Sequence, residues 1–192
     1  MLFRSGEARE AALAWGAEAD VLSARGELDE ALRIRREEQL PVYEKLGDVR
    51  SRAVTLGKIA DVLHARGELD EALRIRREEQ LPVYEKLGDV RSRAVTLGKI
   101  ADVLYARGEL DEALRIRREE QLPVYEKLGD VRELLVGRAN LAVTLMERQA
   151  AGDLAEAKGL LGLALVDADR LRIPQAGQIR ELLDRLAKLQ AK

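Results

Sequence analysis

Residues 24–63 read ARGELDEALRIRREEQLPVYEKLGDVRSRAVTLGKIADVL, and the same forty letters return unchanged as residues 65–104. Only His64 stands between the two copies, so the period is 41. A third copy begins at Ala106 and stays identical through Arg132. A unit of this size is too small to bury its own apolar face, so the repetition predicts an array in which each unit covers its neighbour.

Each unit reads as two helices. In the second, Ala53, Leu56, Ile59, Ala60 and Leu63 recur at three and four residues, which marks one helical face over roughly residues 49–66. Ala12, Trp15, Ala19 and Leu22 repeat that pattern in the first unit. Gly26 and Gly47 stand where a left-handed glycine ends a helix. Glu27, Asp29 and Glu30 favour the positive end of the next one. Asp48, Asp89 and Asp130 each follow a glycine and open a periodic segment, as N-caps do. Connections this short force antiparallel pairs, a helix A followed by a helix B.

Helix B of the second unit, residues 69–87, contains Pro82, repeated as Pro41 and Pro123. An interior proline removes a hydrogen bond and clashes with the carbonyl four residues back, at a cost of ~3 kcal/mol. Two outcomes follow: one helix kinked at residues 80–82, or two segments with Pro82 opening the second. The good helix formers Glu78, Glu79 and Gln80 before the proline favour the kink. The same kink in three units would give a regular outer surface.

The fourth unit diverges after Arg132. Leu141, Ala142 and Leu145 align with Ile100, Ala101 and Leu104, so its helix A persists. Gln149, Ala150 and Ala151 lengthen the loop, and helix B, to about residue 172, lacks an interior proline. Pro174 opens a last amphipathic segment with Ile179, Leu182, Leu183, Leu186 and Leu189 on one face, a C-terminal cap. The expected fold is all-α, with about four antiparallel pairs (residues 9–48, 49–89, 90–130 and 131–172) and a capping helix over 174–190. Together they form one repeat domain over residues 1–192.

Composition narrows the function. With 33 basic against 35 acidic residues the net charge is −2, so no basic excess drives nucleic-acid binding. The most basic run, Arg74-Ile75-Arg76-Arg77, is followed by Glu78-Glu79 and reads as a solvated, self-compensated helix face. The absence of cysteine excludes disulfides and thiolate chemistry and fits a reducing cytoplasm. The longest apolar stretch, residues 160–166, falls far short of the ~20 residues of a membrane span, and the first residues lack the apolar run of a signal peptide. A cytoplasmic location is expected.

The helix pairs resemble tetratricopeptide repeats (TPRs), whose pattern is Trp-x2-Leu-Gly-x2-Tyr in the first helix and Ala-x3-Phe in the second. Leu56, Ile59, Ala60, Leu63 and Ala72 occupy these positions, and Trp15 stands at the tryptophan itself. The turn Gly67-Glu68-Leu69-Asp70-Glu71-Ala72 is similar to the family's Gly-Asp-Tyr-Asp-Glu-Ala. Three features depart from it: a 41-residue repeat instead of 34, Arg76 at the phenylalanine position, and a displaced proline. The extra residues resemble the longer repeats of kinesin-light-chain-type and bacterial signalling-protein arrays.

The resemblance implies a right-handed superhelix whose A helices line a groove for protein segments. Its groove positions correspond to Asp20 and Ser23, Asp61 and His64, and Asp102 and Tyr105. Leu13, Val54 and Val95 lie two turns earlier, and Val143 and Met146 in the fourth unit. The one residue exchanged between otherwise identical units, Ser23, His64 or Tyr105, falls on this face. A row of carboxylates near Lys58 and Lys99 would favour a basic or amide-rich segment. Alternatively, each Asp belongs to an ion pair with a neighbouring Arg or Lys.

No catalytic or metal-binding set emerges. His64 is the sole histidine. Leu56-Gly57-Lys58 lacks the earlier glycine and the Ser/Thr of a phosphate loop. Adjacent Glu78 and Glu79 point about 100° apart on a helix. The sequence predicts a non-enzymatic interaction scaffold without cofactor, metal, nucleic-acid or membrane partner, binding an unknown protein or peptide. Two alternatives stand beside it. Identical units with an uncapped N-terminal end could self-assemble into homo-oligomers or swap a repeat, and the array could be the sensing fragment of a larger signalling protein.

Overall fold

The computed structural model describes residues 2–191, with side chains from residue 6 onward. The described residues form nine helices and no strand. Helix α1 spans Leu2–Ala24. Helix α2 runs without interruption through Leu28–Arg33, Ile34–Gln39 and Leu40–Leu46. Helix α3 is Val49–Ala65, and α4 joins Leu69–Arg74, Ile75–Gln80 and Leu81–Lys86. Helix α5 is Val90–Ala106, and α6 joins Leu110–Arg115, Ile116–Gln121 and Leu122–Leu128. Helices α7 (Val131–Arg148), α8 (Asp153–Leu171) and α9 (Gln175–Gln190) complete the chain. Contacts divide it between Asp89 and Val90 into two compact units, α1–α4 and α5–α9, each described separately below.

In the first unit the expected inward set is buried: Ala53, Leu56, Ile59, Ala60 and Leu63 are all at most 3% exposed. Asp48 caps α3 by accepting a hydrogen bond from the Ser51 backbone N–H at 3.0 Å. Gly26 and Gly47 have φ of 81° and 64°, the left-handed stops that the sequence requires.

The proline-bearing helices do not break. Each passes through a π-helical stretch, Ile34–Gln39, Ile75–Gln80 or Ile116–Gln121, immediately before its proline turn. The Leu81 N–H donates to the Arg76 carbonyl five residues back, and Leu81 itself is helical at φ −57°, ψ −46°. Widening the turn keeps the chain helical up to a residue that can offer no N–H of its own. It also sets the buried face. Ala72, Arg76, Gln80 and Tyr84 are buried at a constant spacing of four. In a regular α-helix four residues advance about 40° past a full turn, so such a row would wind off its face. One wide turn brings it back. Helix α8, with no proline, buries Asp153, Ala157, Leu161, Ala164 and Ala168, the mixed spacing of an ordinary α-helix.

In the second unit the core gathers Leu114, Leu135, Leu141, Leu145, Met146, Leu161, Ile179 and Leu186 into one apolar cluster. Helix α9 contributes Ile179 and Leu186, 2% and 1% exposed, to that cluster. The longer loop after α7 turns on Gln149, whose φ is 52°. Asp153 closes it by accepting from the Ala150 N–H at 2.9 Å and from Arg148 at 2.6 and 2.9 Å.

Candidate protein-binding face

The wide turn places an arginine and a glutamine inside each of the first three helix pairs. Arg35, Arg76 and Arg117 are 2% exposed. Their Nη2 atoms donate to Asp20, Asp61 and Asp102 on the preceding A helix at 2.7, 2.7 and 2.6 Å. In the first two pairs Nη1 also donates to the glutamine four residues on, Arg35 to Gln39 and Arg76 to Gln80, both at 3.1 Å. The glutamine lies against a glycine of helix A. A Cβ on Gly16, Gly57 or Gly98 would collide with Nε2 of Gln39, Gln80 or Gln121. The basic run is therefore not solvated throughout. Arg74 does lie exposed, in ion pairs with Glu71 and Glu79 at 2.8 and 3.0 Å. Arg76 is interior because it occupies the Ala-x3-Phe position, whose side chain points between the helices. That position was the only sequence signal of its burial.

The ion-pair alternative for the aspartates thus holds in all three pairs, while their carboxylates stay 53%, 43% and 32% exposed. Lys58 adds a second bond to Asp20 at 3.0 Å. Burial works against the Asp20 carboxylate, but the Lys58 hydrogen bond and the charges of Arg35 and Lys58 outweigh it and hold its carboxyl below the usual range. Burial in turn depresses the Arg35 guanidinium, with Asp20 opposing.

Between successive A helices each unit has a pocket in the same register. In the first unit it measures about 240 Å³ and includes Leu13, Asp20, Arg35, Gln39, Val54 and Lys58. In the second it measures about 150 Å³ and includes Val95, Lys99, Asp102, Arg117, Gln121 and Asn140. A further hollow of about 180 Å³ beside the first holds Asp20, Ser23, Arg35 and Asp61. Leu13, Val54 and Val136, 60%, 49% and 40% exposed, supply apolar surface along these rims. Ser23, His64, Val95, Tyr105 and Val143 are half-buried, and the Ser23 hydroxyl donates to the Ala19 carbonyl at 2.8 Å. Met146 departs from the expectation. It is 1% exposed and part of the second unit's core cluster, because the fourth pair closes around an apolar interior. It offers nothing to a partner. Among the described residues no group of three or more His, Cys, Asp or Glu is placed to hold a metal, and no helix is long and apolar enough to cross a membrane.

The fold is that of a TPR-like helical repeat array. Among solved structures, BtubC (BKLC) from P. vanneervenii superposes with a TM-score of 0.79 at 19% identity, covering 97% of this chain and 80% of that one. Two crystal structures of the Podosopora anserina "putative kinesin light chain nearly identical TPR-like repeats" superpose at TM-scores of 0.68 (a single-substitution form) and 0.67. Both are 20% identical and cover 93% of this chain and 93% and 94% of theirs. At such identity the likeness is one of fold. No protein-family model and no curated protein matches the sequence.

Proposed function

We propose that the chain is a non-catalytic scaffold that binds an extended or helical protein segment along the exposed face of its A helices. The supporting observation is the pocket found in the same register in both units. Each combines an exposed or half-buried aliphatic rim with a carboxylate fixed by a buried arginine. Neither is built around a nucleophile or an acid–base pair. Pre-positioned polar groups within an apolar surface are what segment recognition requires. Ser23 lines the further hollow of the first unit, and on this reading it and its counterparts His64 and Tyr105 adjust specificity.

The test is selection of a displayed library of random 16-residue peptides on the immobilised chain. Enriched peptides should bind the protein in solution. Val54→Lys combined with Tyr105→Ala should weaken them on the order of tenfold or more, as removal of central contacts does. Glu78→Ala on the outer face of α4 should leave them unchanged. No enrichment, or binding insensitive to the A-helix substitutions, overturns the proposal.

A further inference from the structure

One difference between the two pockets is made conspicuous by their shared register. In the first unit Arg35 Nη1 and Gln39 Oε1 satisfy one another at 3.1 Å. In the second, Arg117 Nη1 and Gln121 Oε1 are buried and neither has a hydrogen-bond partner within the chain. Arg117 and Gln121 are 2% and 6% exposed and both line the pocket of about 150 Å³. A buried donor and a buried acceptor left without partners cost desolvation that a ligand bonding to both would recover.

We infer that this pocket receives the primary amide of an asparagine or glutamine side chain from a bound segment. The amide oxygen accepts from Arg117 Nη1 and the amide N–H donates to Gln121 Oε1. Three features select this group. First, the donor and acceptor sit four residues apart on one helix face. A primary amide presents oxygen and N–H on the same edge, whereas a trans peptide group presents them on opposite sides. Second, the charges lining the pocket balance, with Arg117 and Lys99 against Asp102 and Glu133. The guanidinium is already engaged by Asp102 at 2.6 Å. A carboxylate would meet two like charges, and an ammonium would meet Arg117. A neutral group with both hydrogen-bonding capacities meets neither penalty. Third, Asn140 stands in α7 where Lys58 stands in α3, so the lysine that reaches Asp20 in the first pocket has no counterpart here.

The inference rests on the A-helix face being a segment-binding surface. It is tested on the full chain by following the side-chain amide signals of Gln121 and Asn140 and the Arg117 Nε–H in nitrogen-15 NMR. N-acetyl-glutamine methylamide should produce saturable shifts at these groups. The matching glutamate derivative should bind on the order of tenfold more weakly, as should free L-glutamine, whose own charges enter the site. Gln121→Met should lose the glutamine derivative's binding, while Glu78→Ala, on the outer face of α4, should leave it intact. Equal binding of the glutamate derivative, tighter binding of free glutamine, equal loss in both variants, or no shift at 50-fold excess over a millimolar Kd (about 50 mM) overturns it. Peptides selected without any amide preference would sink this assignment while leaving the segment-binding reading intact.

Discussion

The first three helix pairs and the fourth solve the same packing problem with opposite chemistry. Where α3 and α4 meet, an aspartate on helix A pairs with a buried arginine on helix B, Asp61 with Arg76. In the fourth pair the aligned positions are Val143 and Leu161, and Leu161 is fully buried. Both members of the pair change together. An apolar side chain fills the interior of this fold, so the arginine is not there because the packing requires it. The ion pair costs desolvation that its geometry only partly returns, and the leucine avoids that cost. What the Asp–Arg version supplies, and the Val–Leu version cannot, is a fixed, half-exposed carboxylate on the A-helix face.

Transplanting one solution into the other tests this directly. Arg76→Ala should be the most damaging change, lowering stability by about 3–4 kcal/mol in urea unfolding, because it leaves a cavity and strands Gln80. Asp61→Val alone should cost less, about 2 kcal/mol, since the buried guanidinium loses a partner that is itself half in water. The double change Asp61→Val with Arg76→Leu, which copies the fourth pair, should return to within about 1 kcal/mol of the parent or exceed it. A double variant as unstable as the worse single one would break the comparison.

Gly57→Val sharpens the same contrast from the other helix. Its side chain must displace Gln80 from the glycine and from Arg76, at a cost of about 2 kcal/mol. The aligned position in α7 is Ala139, where a Cβ is accommodated, so Ala139→Val should cost visibly less in the same assay.

The smallest effect is acid sensitivity. Asp20, Asp48 and Asp153 are all held below the ordinary carboxyl value of 3.8. For Asp153 the Arg148 hydrogen bonds are the main cause. For Asp48 it is the Ser51 backbone N–H. Their contributions are complete above that value and are lost as pH falls through the lowered folded pKa. Melting temperature should therefore be flat from neutral pH to about 5 and fall below about 4. Asp153→Asn should start lower and fall less. A melting temperature that rises on acidification would contradict this.

Much of the fold was legible because helix periodicity, left-handed glycines and aspartate caps are local signals. Ala53, Leu56, Ile59, Ala60 and Leu63 announced their burial by spacing alone. Arg76 did not, because charge and periodicity disagree there and only a side chain's position between two helices decides. The wide turn was illegible for the same reason. Pro82 signalled a disturbance, but whether the backbone kinks, breaks or widens depends on which face must stay buried. Met146 misled because register with Tyr105 carries no information about what the following helix covers.

The wide turn has a consequence for how these helices tolerate change in length. A π turn is an α-helix carrying one surplus residue. The buried rows show this: Ala72, Arg76, Gln80 and Tyr84 differ from Ala157, Leu161, Ala164 and Ala168 by one missing step at the middle interval. Helix α8 reads as the same helix with that residue removed. A single deletion in residues 77–79, which would ordinarily turn every later side chain away from its neighbour, should here, once Pro82→Ala restores the N–H that α8 also has, let the row of contacts re-form on an ordinary α-helical path.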